Sequence, residues 1–232
     1  MTVAAHAVLV VDDDPQLRRL LRTTLAAQGF RVIEAETAKR GLIEAASHKP
    51  DLVILDLGLP DAEGHTVVRG IREWSSMPIV VLSARVDEQQ KIAALDAGAD
   101  DYVTKPFGMD ELLARMRVAL RRAAPPSTDE SPEIDTAHFH LDLAAKRATV
   151  GDREVRLTPI EWGLVELLVR NPGRLLTQGY LLQRVWGPQY EQETGYLRVH
   201  LAHIRRKLEP DPSRPRYFVT EPGMGYRFEP DR

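Results

Sequence analysis

Three short apolar segments and one strand-like segment in the first half of the chain each lead directly into polar residues. Runs of four apolar residues between helical stretches are typical of strands in a buried parallel sheet. Ligands bind outside the carboxyl ends of such strands. We therefore expect carboxylates, a hydroxyl and an ammonium group to meet in one pocket. The segments and the residues that follow them are 8–11 with Asp12 and Asp13, 52–55 with Asp56, 79–82 with Ser83, and 101–104 with Lys105.

Length and composition limit the kind of protein that this chain can be. Its 232 residues accommodate two domains of ordinary size, and 43% hydrophobic residues support buried cores. The absence of cysteine excludes disulfides, thiolate metal sites and cysteine nucleophiles. Because the sequence contains neither a membrane-length apolar stretch nor a signal-peptide core, we expect a cytoplasmic protein without membrane insertion. With a net charge of -3, any surface that binds nucleic acid has to be local.

The order of predicted elements indicates two domains of different architecture. Residues 7–122 alternate strand and helix five times, which predicts an α/β fold, a (βα)5 doubly wound parallel sheet with helices on both faces. The domain boundaries predicted are 1–122 for this domain, 123–132 for a proline-containing linker and 133–232 for a second domain. The five helices are predicted at 15–28, 38–47, 64–74, 88–97 and 109–122.

The second domain is predicted to be an α+β winged helix-turn-helix. A capping signal at Thr158 opens its first helix, and glycine–proline pairs or prolines end the following ones. Two segments on either side of Gly223 form a predicted hairpin. The predicted strands are 139–142, 147–150, 153–156, 217–220 and 226–228, and the predicted helices are 158–170, 177–186 and 194–208.

The residue types in the pocket suit phosphoryl transfer to a carboxylate. Three carboxylates, from Asp12, Asp13 and Asp56, suit Mg²⁺, which prefers oxygen ligands. A carboxylate can also act as a nucleophile toward phosphorus, and a metal ion with an ammonium such as Lys105 offsets the developing charge. Taken singly, each aspartate is more often a turn or capping residue, and Lys105 a solvated lysine. Their joint placement at strand ends favours a site.

The motifs of the first domain resemble the receiver domain of two-component response regulators over residues 7–122. They are Val10-Val11-Asp12-Asp13-Asp14, Ile54-Leu55-Asp56-Leu57-Gly58-Leu59-Pro60, Leu82-Ser83-Ala84 and Asp100-Asp101-Tyr102-Val103-Thr104-Lys105-Pro106-Phe107. The resemblance implies that Asp56 accepts the phosphoryl group. It also implies that Mg²⁺ binds Asp12, Asp13, Asp56 and the carbonyl of Gly58.

The same resemblance gives the remaining pocket residues their roles. Ser83 and Lys105 are expected to contact the phosphoryl group, and Tyr102 is expected to be the switch aromatic residue. The peptide bond between Lys105 and Pro106 is expected to be cis. Response regulators of this kind are not enzymes, apart from self-phosphorylation from a phosphohistidine or a small phosphodonor and slow autodephosphorylation.

A phosphatase that passes through an aspartyl-phosphate is the alternative for this domain. Haloacid-dehalogenase-like phosphatases place a second aspartate two residues after the nucleophile, and Gly58 occupies that position here. A nucleotide-binding enzyme is less favoured still, because no glycine-rich phosphate-binding motif follows any predicted strand.

The helix predicted at 194–208 is strongly basic in a chain of negative net charge. It carries Arg198, His200, His203, Arg205, Arg206 and Lys207 and no acidic residue. Leu197, Leu201, Ile204 and Leu208 form an apolar stripe, and the pattern places Val199, Ala202, His203 and Arg206 on the opposite face. Such a helix fits the major groove of DNA, although a solvated amphipathic helix would show a similar pattern.

Residues 133–228 resemble the winged-helix effector domain of the OmpR/PhoB class of response regulators. The resemblance rests on Trp186-Gly187, on Gly223-Met224-Gly225-Tyr226-Arg227-Phe228 and on the layout of three helices. It implies that the basic helix reads the major groove and that the hairpin reaches the minor groove. The DNA-contacting residues expected are Arg198, Val199, His203, Arg205 and Arg206, with Thr220 and Arg227 as weaker candidates for phosphate or wing contacts.

Several segments are also similar to the Kdp-type regulators of bacterial high-affinity potassium transport. Examples are residues 34–37, 49–61, 91–102 and 212–216. The resemblance implies a phosphorylation-activated transcription regulator whose partners are a cognate sensor histidine kinase, double-stranded promoter DNA and, as a further possibility, RNA polymerase. A constitutive DNA-binding protein that uses its receiver only to dimerise is a second alternative.

The same class forms a homodimer on phosphorylation through cross-subunit salt bridges. Separate solvated charges explain the same residues equally well, since exposed ion pairs contribute little individually. The pairs expected are Lys91 with Glu111, Asp101 with Arg115, and Asp100 with Arg122.

Overall fold

A computed structural model describes residues 6–84, 88–123 and 133–230 of the chain. These residues belong to two compact units, Met1–Ala123 and Ala124–Arg232. Apart from Ala123, the predicted linker lies outside the described residues. Across the three described ranges, every helix is too short or too polar to cross a lipid bilayer.

The first unit is a parallel five-stranded sheet flanked by helices, in the strand order β2-β1-β3-β4-β5. This confirms the predicted (βα)5 doubly wound architecture. In chain order, its elements are β1 Ala7–Val11, α1 Pro15–Ala27, β2 Arg31–Ala35, α2 Ala38–His48, β3 Leu52–Asp56, α3 Gly64–Arg72, β4 Ile79–Ser83, α4 Glu88–Asp96, β5 Asp101–Thr104 and α5 Met109–Ala123.

The core of this unit explains why the apolar runs form strands. All residues of β1, β3 and β4 are buried, as expected for strands covered on both faces. One face of the sheet packs against α1 and α5 through side chains such as Leu21, Leu25 and Met116. Fully burying one side chain of this size contributes about 1.5–3 kcal/mol to the free energy of unfolding. The sheet is therefore a rigid platform for whatever its strand ends carry.

The register of the sheet brings the polar strand ends to one edge. Val11 lies beside Leu55, Asp56 beside Leu82, and Ser83 beside Thr104. Local signals agree, since the side chain of Asp14 accepts hydrogen bonds from the backbone at the start of α1. The predicted convergence of polar side chains therefore follows directly from strand pairing.

The second unit is a winged helix-turn-helix, which confirms the second fold prediction. An antiparallel sheet in the order β6-β7-β8-β9 precedes three helices, and a smaller sheet in the order β10-β12-β11 contains the hairpin. Its elements are β6 Glu133–Asp135, β7 Phe139–Asp142, β8 Arg147–Val150, β9 Arg153–Val155, α6 Pro159–Val169, β10 Leu176–Thr177, α7 Gln178–Val185, a short 3₁₀ helix Pro188–Tyr190, α8 Thr194–Leu208, β11 Phe218–Glu221 and β12 Gly225–Phe228.

Two strands of this unit were not predicted from the sequence. β6 pairs with β7, and the two-residue β10 pairs with β12. Segments of two or three residues are too short to show strand periodicity, so only their pairing partners define them. The capping box at Thr158 and Glu161, by contrast, begins α6 as predicted.

Replacing Gly225 by alanine is expected to destabilise the second unit by about 1–3 kcal/mol, because the new methyl group would overlap neighbouring backbone. A Cβ at this position would collide with the carbonyl group of Leu176 and lie 2.9 Å from the Cα of Thr177. Urea unfolding of the full chain, followed by tryptophan fluorescence, measures the change.

Gly195→Ala is the matched control in the same unit. A Cβ at Gly195 meets nothing within 4 Å. Alanine is the better helix former, so this variant is expected to gain up to about 1 kcal/mol. Equal unfolding midpoints for the two variants would contradict the packing assigned to β10 and β12.

Candidate functional site

Three carboxylates meet at the carboxyl ends of β1 and β3. Asp12 and Asp13 follow β1, and Asp56 is the last residue of β3. One carboxylate oxygen from each lies within 4.8 Å of the others. Asp12 is only 1% exposed and Asp56 only 9% exposed, whereas Asp13 is open to solvent. Such a concentration of negative charge with an open side fits a divalent cation that prefers oxygen ligands.

Lys105, just beyond β5, bridges two of these carboxylates. Its Nζ lies 2.8 Å from Oδ2 of Asp12 and 2.9 Å from Oδ2 of Asp56. Burial alone lowers the pKa of Lys105, but hydrogen bonds to Asp12 and Asp56 outweigh burial and raise that pKa above its ordinary value. The lysine is therefore held as an ammonium ion. The peptide bond between Lys105 and Pro106 is cis, as expected.

At Asp12, unlike at Lys105, the effect of burial on the pKa outweighs that of the hydrogen bonds. Desolvation raises the pKa of Asp12 above its ordinary value, although the hydrogen bond from Lys105 acts to lower it. Oδ1 of Asp12 also accepts a hydrogen bond from the backbone N–H of Asp14, at 2.9 Å. Arg18 donates to the carbonyl oxygen of Asp12 at 2.6 Å, which fixes the backbone at this strand end. Asp12 is thus an oriented, poorly solvated anion for which a cation would be a favourable neighbour.

The loop between β3 and α3 is fixed at both ends. The backbone N–H of Gly58 donates to Oδ1 of Asp56 at 3.3 Å. Asp61 accepts hydrogen bonds from the backbone N–H groups of Ala38 (2.7 Å) and Lys39 (3.0 Å), at the start of α2. These bonds, from Lys39 first and then Ala38, lower the pKa of Asp61. The loop that carries Gly58 is therefore anchored beside Asp56, and no sequence pattern predicted this anchor.

A cavity of about 280 Å³ opens beside Asp56. It is bounded by the ends of β3 and β4 and by the first turns of α3 and α4. Ser83, only 3% exposed, lies on its wall. Glu63, His65 and Gln90 were not predicted to line a pocket, because none of them follows a strand. The described residues that line the cavity are Asp56, Leu57, Gly58, Glu63, His65, Ser83, Ala84 and Gln90.

Tyr102 lies on β5, and the residues expected at a dimer interface lie on β5, α4 and α5, except for Asp100, which directly precedes β5. Tyr102 is buried in this structure, with 4% exposure. Asp101 pairs with Arg115 within the same chain at 3.2 Å, and Arg115 also pairs with Glu111 at 2.6 Å. Lys91 is half-buried on α4, and the side chain of Arg122 is not among those that the structure describes.

Asp100 has an internal role that the sequence pattern did not predict. It is 1% exposed, and its Oδ2 accepts hydrogen bonds from Arg72 at 2.7 Å and from the backbone N–H of Ile79 at 2.8 Å. Arg72 also donates to the carbonyl oxygens of Gly98 and Met77. The carboxylate therefore ties α3 to β4, and the expected pairing of Asp100 with Arg122 of a second copy stays a prediction.

Helix α8 presents a narrower basic face than the sequence predicted. Arg198, Ala202 and Arg206 are exposed and follow one another at intervals of four residues. Val199 and His203, which the pattern placed on the same face, are 9% and 8% exposed. Placing these two on the open face of the helix was therefore wrong, whereas their expected contact with DNA stays a prediction.

Helix α6 provides the physical reason for that correction. Glu161 of α6 is almost fully buried. Its Oε2 accepts a hydrogen bond from Nζ of Lys207 at 2.6 Å, and its Oε1 lies 3.8 Å from Nδ1 of His203. The row of α8 residues at 199, 203 and 207 therefore faces α6. A helix that packs on two sides leaves only one strip of its surface to solvent.

Two further predicted DNA contacts are engaged within the chain. Arg205 donates to the carbonyl oxygen of Phe218 at 2.9 Å and to Oγ1 of Thr220 at 2.7 Å, which holds β11 against α8. Arg227 donates to the carbonyl oxygen of Gly173 and pairs with Glu221. These arginines support the hairpin, and the exposed Thr220 lies beside one of them.

Family models match both units of the chain. Residues 8–117 match the response regulator receiver domain, and residues 152–228 match the C-terminal domain of transcriptional regulatory proteins. The first match covers the carboxylate cluster and Lys105, and the second covers α6 to β12.

Relatives of known name extend over nearly the whole chain. The chain is 57% identical over 222 residues to the transcriptional regulatory protein KdpE of Mycobacterium tuberculosis, a match that covers 96% of this chain and 98% of that protein. It is 55% identical over 221 residues to the KDP operon transcriptional regulatory protein KdpE of Escherichia coli, covering 95% and 98%.

Solved structures show the same combination of folds. DrrB of Thermotoga maritima, an OmpR/PhoB homologue, is 29% identical with a TM-score of 0.52 and covers 97% of this chain and 99% of its own. A RitR mutant with a TM-score of 0.78 is 22% identical and covers 98% and 100%, so it shows the fold alone. Together with the full-length relatives, these matches confirm the resemblance inferred from the motifs: the chain belongs to the OmpR/PhoB class of two-component response regulators.

Proposed function

We propose that this chain is a phosphorylation-activated transcription regulator that controls a high-affinity potassium-transport operon. The observation that carries the proposal is the cluster of Asp12, Asp13 and Asp56 bridged by Lys105, in a chain that also has an exposed arginine strip on α8. Identity of 55% over nearly the full length to a KDP operon regulator supports the choice of operon.

The proposed reaction at Asp56 is a phosphoryl transfer without a classical catalytic cycle. An oxygen of the Asp56 carboxylate bonds to phosphorus while the bond between phosphorus and the donor group breaks, and the donor leaves with its electron pair. The donor is the phosphohistidine of a cognate sensor histidine kinase or a small acyl phosphate. In slow self-dephosphorylation, water attacks phosphorus, the bond between phosphorus and the Asp56 oxygen breaks, and the carboxylate and inorganic phosphate are released.

The residues around Asp56 lower the electrostatic cost of this transfer. Lys105 already contacts Asp56 and can follow the charge that passes to the phosphoryl oxygens. Ser83 on the cavity wall can donate a hydrogen bond to one of these oxygens. Asp12, Asp13, Asp56 and the carbonyl of Gly58 would hold Mg²⁺, which supplies charge neutralisation when bound.

We expect Asp12→Asn to weaken Mg²⁺ binding by about tenfold or more, because it removes one anionic oxygen ligand from the cluster. Calorimetric titration of the unphosphorylated full chain with MgCl₂ measures the affinity. Thermal unfolding with and without Mg²⁺ gives a second readout, since a ligand that binds only the folded state stabilises it.

Glu36→Gln is the control for this experiment. It also removes one negative charge from the first unit, but Glu36 is exposed and stands outside the cluster. Its Mg²⁺ affinity should equal that of the wild type. A similar loss in both variants would indicate general charge attraction and would contradict a defined metal site.

Phosphorylation is proposed to act through the surface of α4, β5 and α5. Asp101, Glu111 and Arg115 already interact there within one chain, and Lys91 lies on α4 of the same unit. In a symmetric pair of receivers, Lys91 would meet Glu111, and Arg115 would meet Asp101 of the other copy. Along β5, Tyr102 stands between Asp101 of this surface and Lys105, which contacts Asp56, so it is the proposed switch residue.

Pairing matters because one winged helix binds DNA weakly. Two linked binding units gain about 10²–10⁴-fold in avidity when both can engage their sites. Phosphorylation at a remote carboxylate would in this way change DNA affinity without altering any contact to DNA.

Acetyl phosphate with Mg²⁺ is expected to raise the affinity of the wild type for a potassium-transport promoter by about tenfold or more, through dimerisation. Light scattering of the same sample should show a doubled molar mass, and mass spectrometry should find added phosphate on Asp56. An unrelated promoter of equal length tests specificity.

Asp56→Asn should show none of these three changes. If instead its DNA affinity equals that of the treated wild type, the chain is a constitutive DNA-binding protein whose receiver only dimerises. Catalytic turnover of a generic phosphate ester by the wild type would favour the phosphatase alternative, which Gly58 and the family matches do not favour.

The exposed strip of α8 is proposed to enter the major groove. Arg198 and Arg206 can reach base edges or phosphates, whereas Arg205, Thr220 and Arg227 are proposed to shape and orient the hairpin wing. An interaction with RNA polymerase stays a prediction from the class.

Arg206→Ala is expected to weaken binding to the operator by about tenfold, as loss of one base or phosphate contact does. Arg153→Ala is the control, because Arg153 is an exposed arginine on β9 of the same unit. Fluorescence anisotropy at several salt concentrations separates the two kinds of contact, since loss of a phosphate contact reduces the salt dependence. Unchanged affinity in Arg206→Ala would contradict the docking of α8.

A further inference from the structure

The cavity beside Asp56 contains hydrogen-bond donors that the proposed reaction has not used. Among the described residues on its wall, Ser83, His65 and Gln90 carry a side-chain N–H or O–H group. Ser83 already has a role in the proposed reaction. His65 lies on the first turn of α3, next to the phosphoacceptor strand, and no role follows for it from the motifs.

The position of His65 is fixed by the tight packing of its neighbour. A Cβ on Gly64 would lie 2.7 Å from the carbonyl oxygen of Asp56 and 2.7 Å from the Cα of Leu57. The backbone N–H of Gly64 also donates to the carbonyl oxygen of Leu57 at 3.2 Å. Because α3 begins in direct contact with the backbone of Asp56, the next side chain is held at the cavity wall rather than on a mobile loop.

The imidazole of His65 has hydrogen-bonding capacity that this state leaves unused. Its Nε2 is buried and has no hydrogen-bond partner among the residues that the structure describes. A buried polar atom without a partner costs about 1–3 kcal/mol, and such atoms are uncommon in native proteins. Because His65 lines the cavity, a rotation of its ring that turns Nε2 toward an acceptor in the cavity would remove this cost.

The charges around the cavity favour a donor at this position. Asp56 and Glu63 place carboxylates on its wall, while Lys105 is shared between Asp56 and Asp12. A phosphoryl group adds nearly two further negative charges and three acceptor oxygens. One ammonium and one hydroxyl leave part of that acceptor capacity to other donors.

We propose that His65 is a phosphoryl-binding residue, which donates a hydrogen bond to the phosphoryl group on Asp56 in addition to Ser83 and Lys105. This inference rests on the proposed function, because it takes Asp56 as the phosphoacceptor. His65 forms no covalent bond and takes no proton in the transfer. It binds the product state, so its contribution is to the affinity for a phosphoryl group and not to Mg²⁺ binding.

Beryllofluoride in the presence of Mg²⁺ is the probe, since its fluorine atoms stand in for phosphoryl oxygens without covalent turnover. In fluorine NMR titrations of the full chain, His65→Leu and His65→Ala should each bind beryllofluoride about tenfold more weakly than the wild type, because they lose a charge-assisted hydrogen bond. Mg²⁺ affinity should stay close to wild type. The thermal unfolding midpoint of His65→Leu without beryllofluoride should not fall below that of the wild type, because the variant removes a buried polar atom that has no partner among the described residues. His65→Gln keeps a side-chain N–H and should recover part of the affinity.

Thr66→Ala is the matched control, since Thr66 is the exposed neighbour on the same helical turn and does not line the cavity. Equal beryllofluoride affinity in wild type, His65→Leu and His65→Ala would overturn the role of His65 and leave the proposed function standing. A wild type that binds no beryllofluoride, like Asp56→Asn, would overturn the proposed function and this inference together. Weakened Mg²⁺ binding in every His65 variant would overturn the role of His65 in phosphoryl binding, since His65 would then act on the metal site.

Discussion

The structure of the first unit depends on the balance between three carboxylates and one ammonium group at a buried edge of the sheet. Like charges this close would disfavour the fold, and Lys105 contacts Asp12 and Asp56 at hydrogen-bond distance. The balance remains incomplete, because one cation faces three anions. That remainder fits a divalent cation, and the carboxylate of Asp56 lies on the wall of the cavity, where the proposed phosphoryl transfer takes place. A single electrostatic arrangement therefore serves both folding and the proposed chemistry.

In the second unit, α8 packs firmly against its neighbours, and one strip of its surface stays exposed to solvent. On one side of α8, Lys207 forms an ion pair with Glu161. On another side, Arg205 donates a hydrogen bond to the backbone of β11. The exposed strip at Arg198 and Arg206 is what remains. Charged residues on this helix therefore divide into those that build the domain and those that face solvent, although the sequence presents them as one basic cluster.

The sequence predicted those features that follow from local periodicity and from the geometry of parallel sheets. Asp56 and Lys105 were placed in one pocket because Asp56 ends β3, Lys105 follows β5, and the carboxyl ends of parallel strands share an edge. The inward turn of Asp100 was not predictable, because Arg72, which binds it, comes from another helix. His203 was misplaced for the same reason, since α6 covers it. Contacts with a distant helix determine the positions of Asp100 and His203, and neither helical periodicity nor residue type predicts such contacts.

The ion pair between Asp101 and Arg115 has a consequence for how two copies could associate. Because the arginine already has a carboxylate partner in its own chain, symmetric pairing would exchange one such contact for an equivalent one across the twofold axis. An exchange of like for like contributes little net free energy, so complementary charges would select the correct partner and register while leaving the strength of association to the surrounding packing. A surface built in this way would release its partner readily, as reversal of the proposed signal requires.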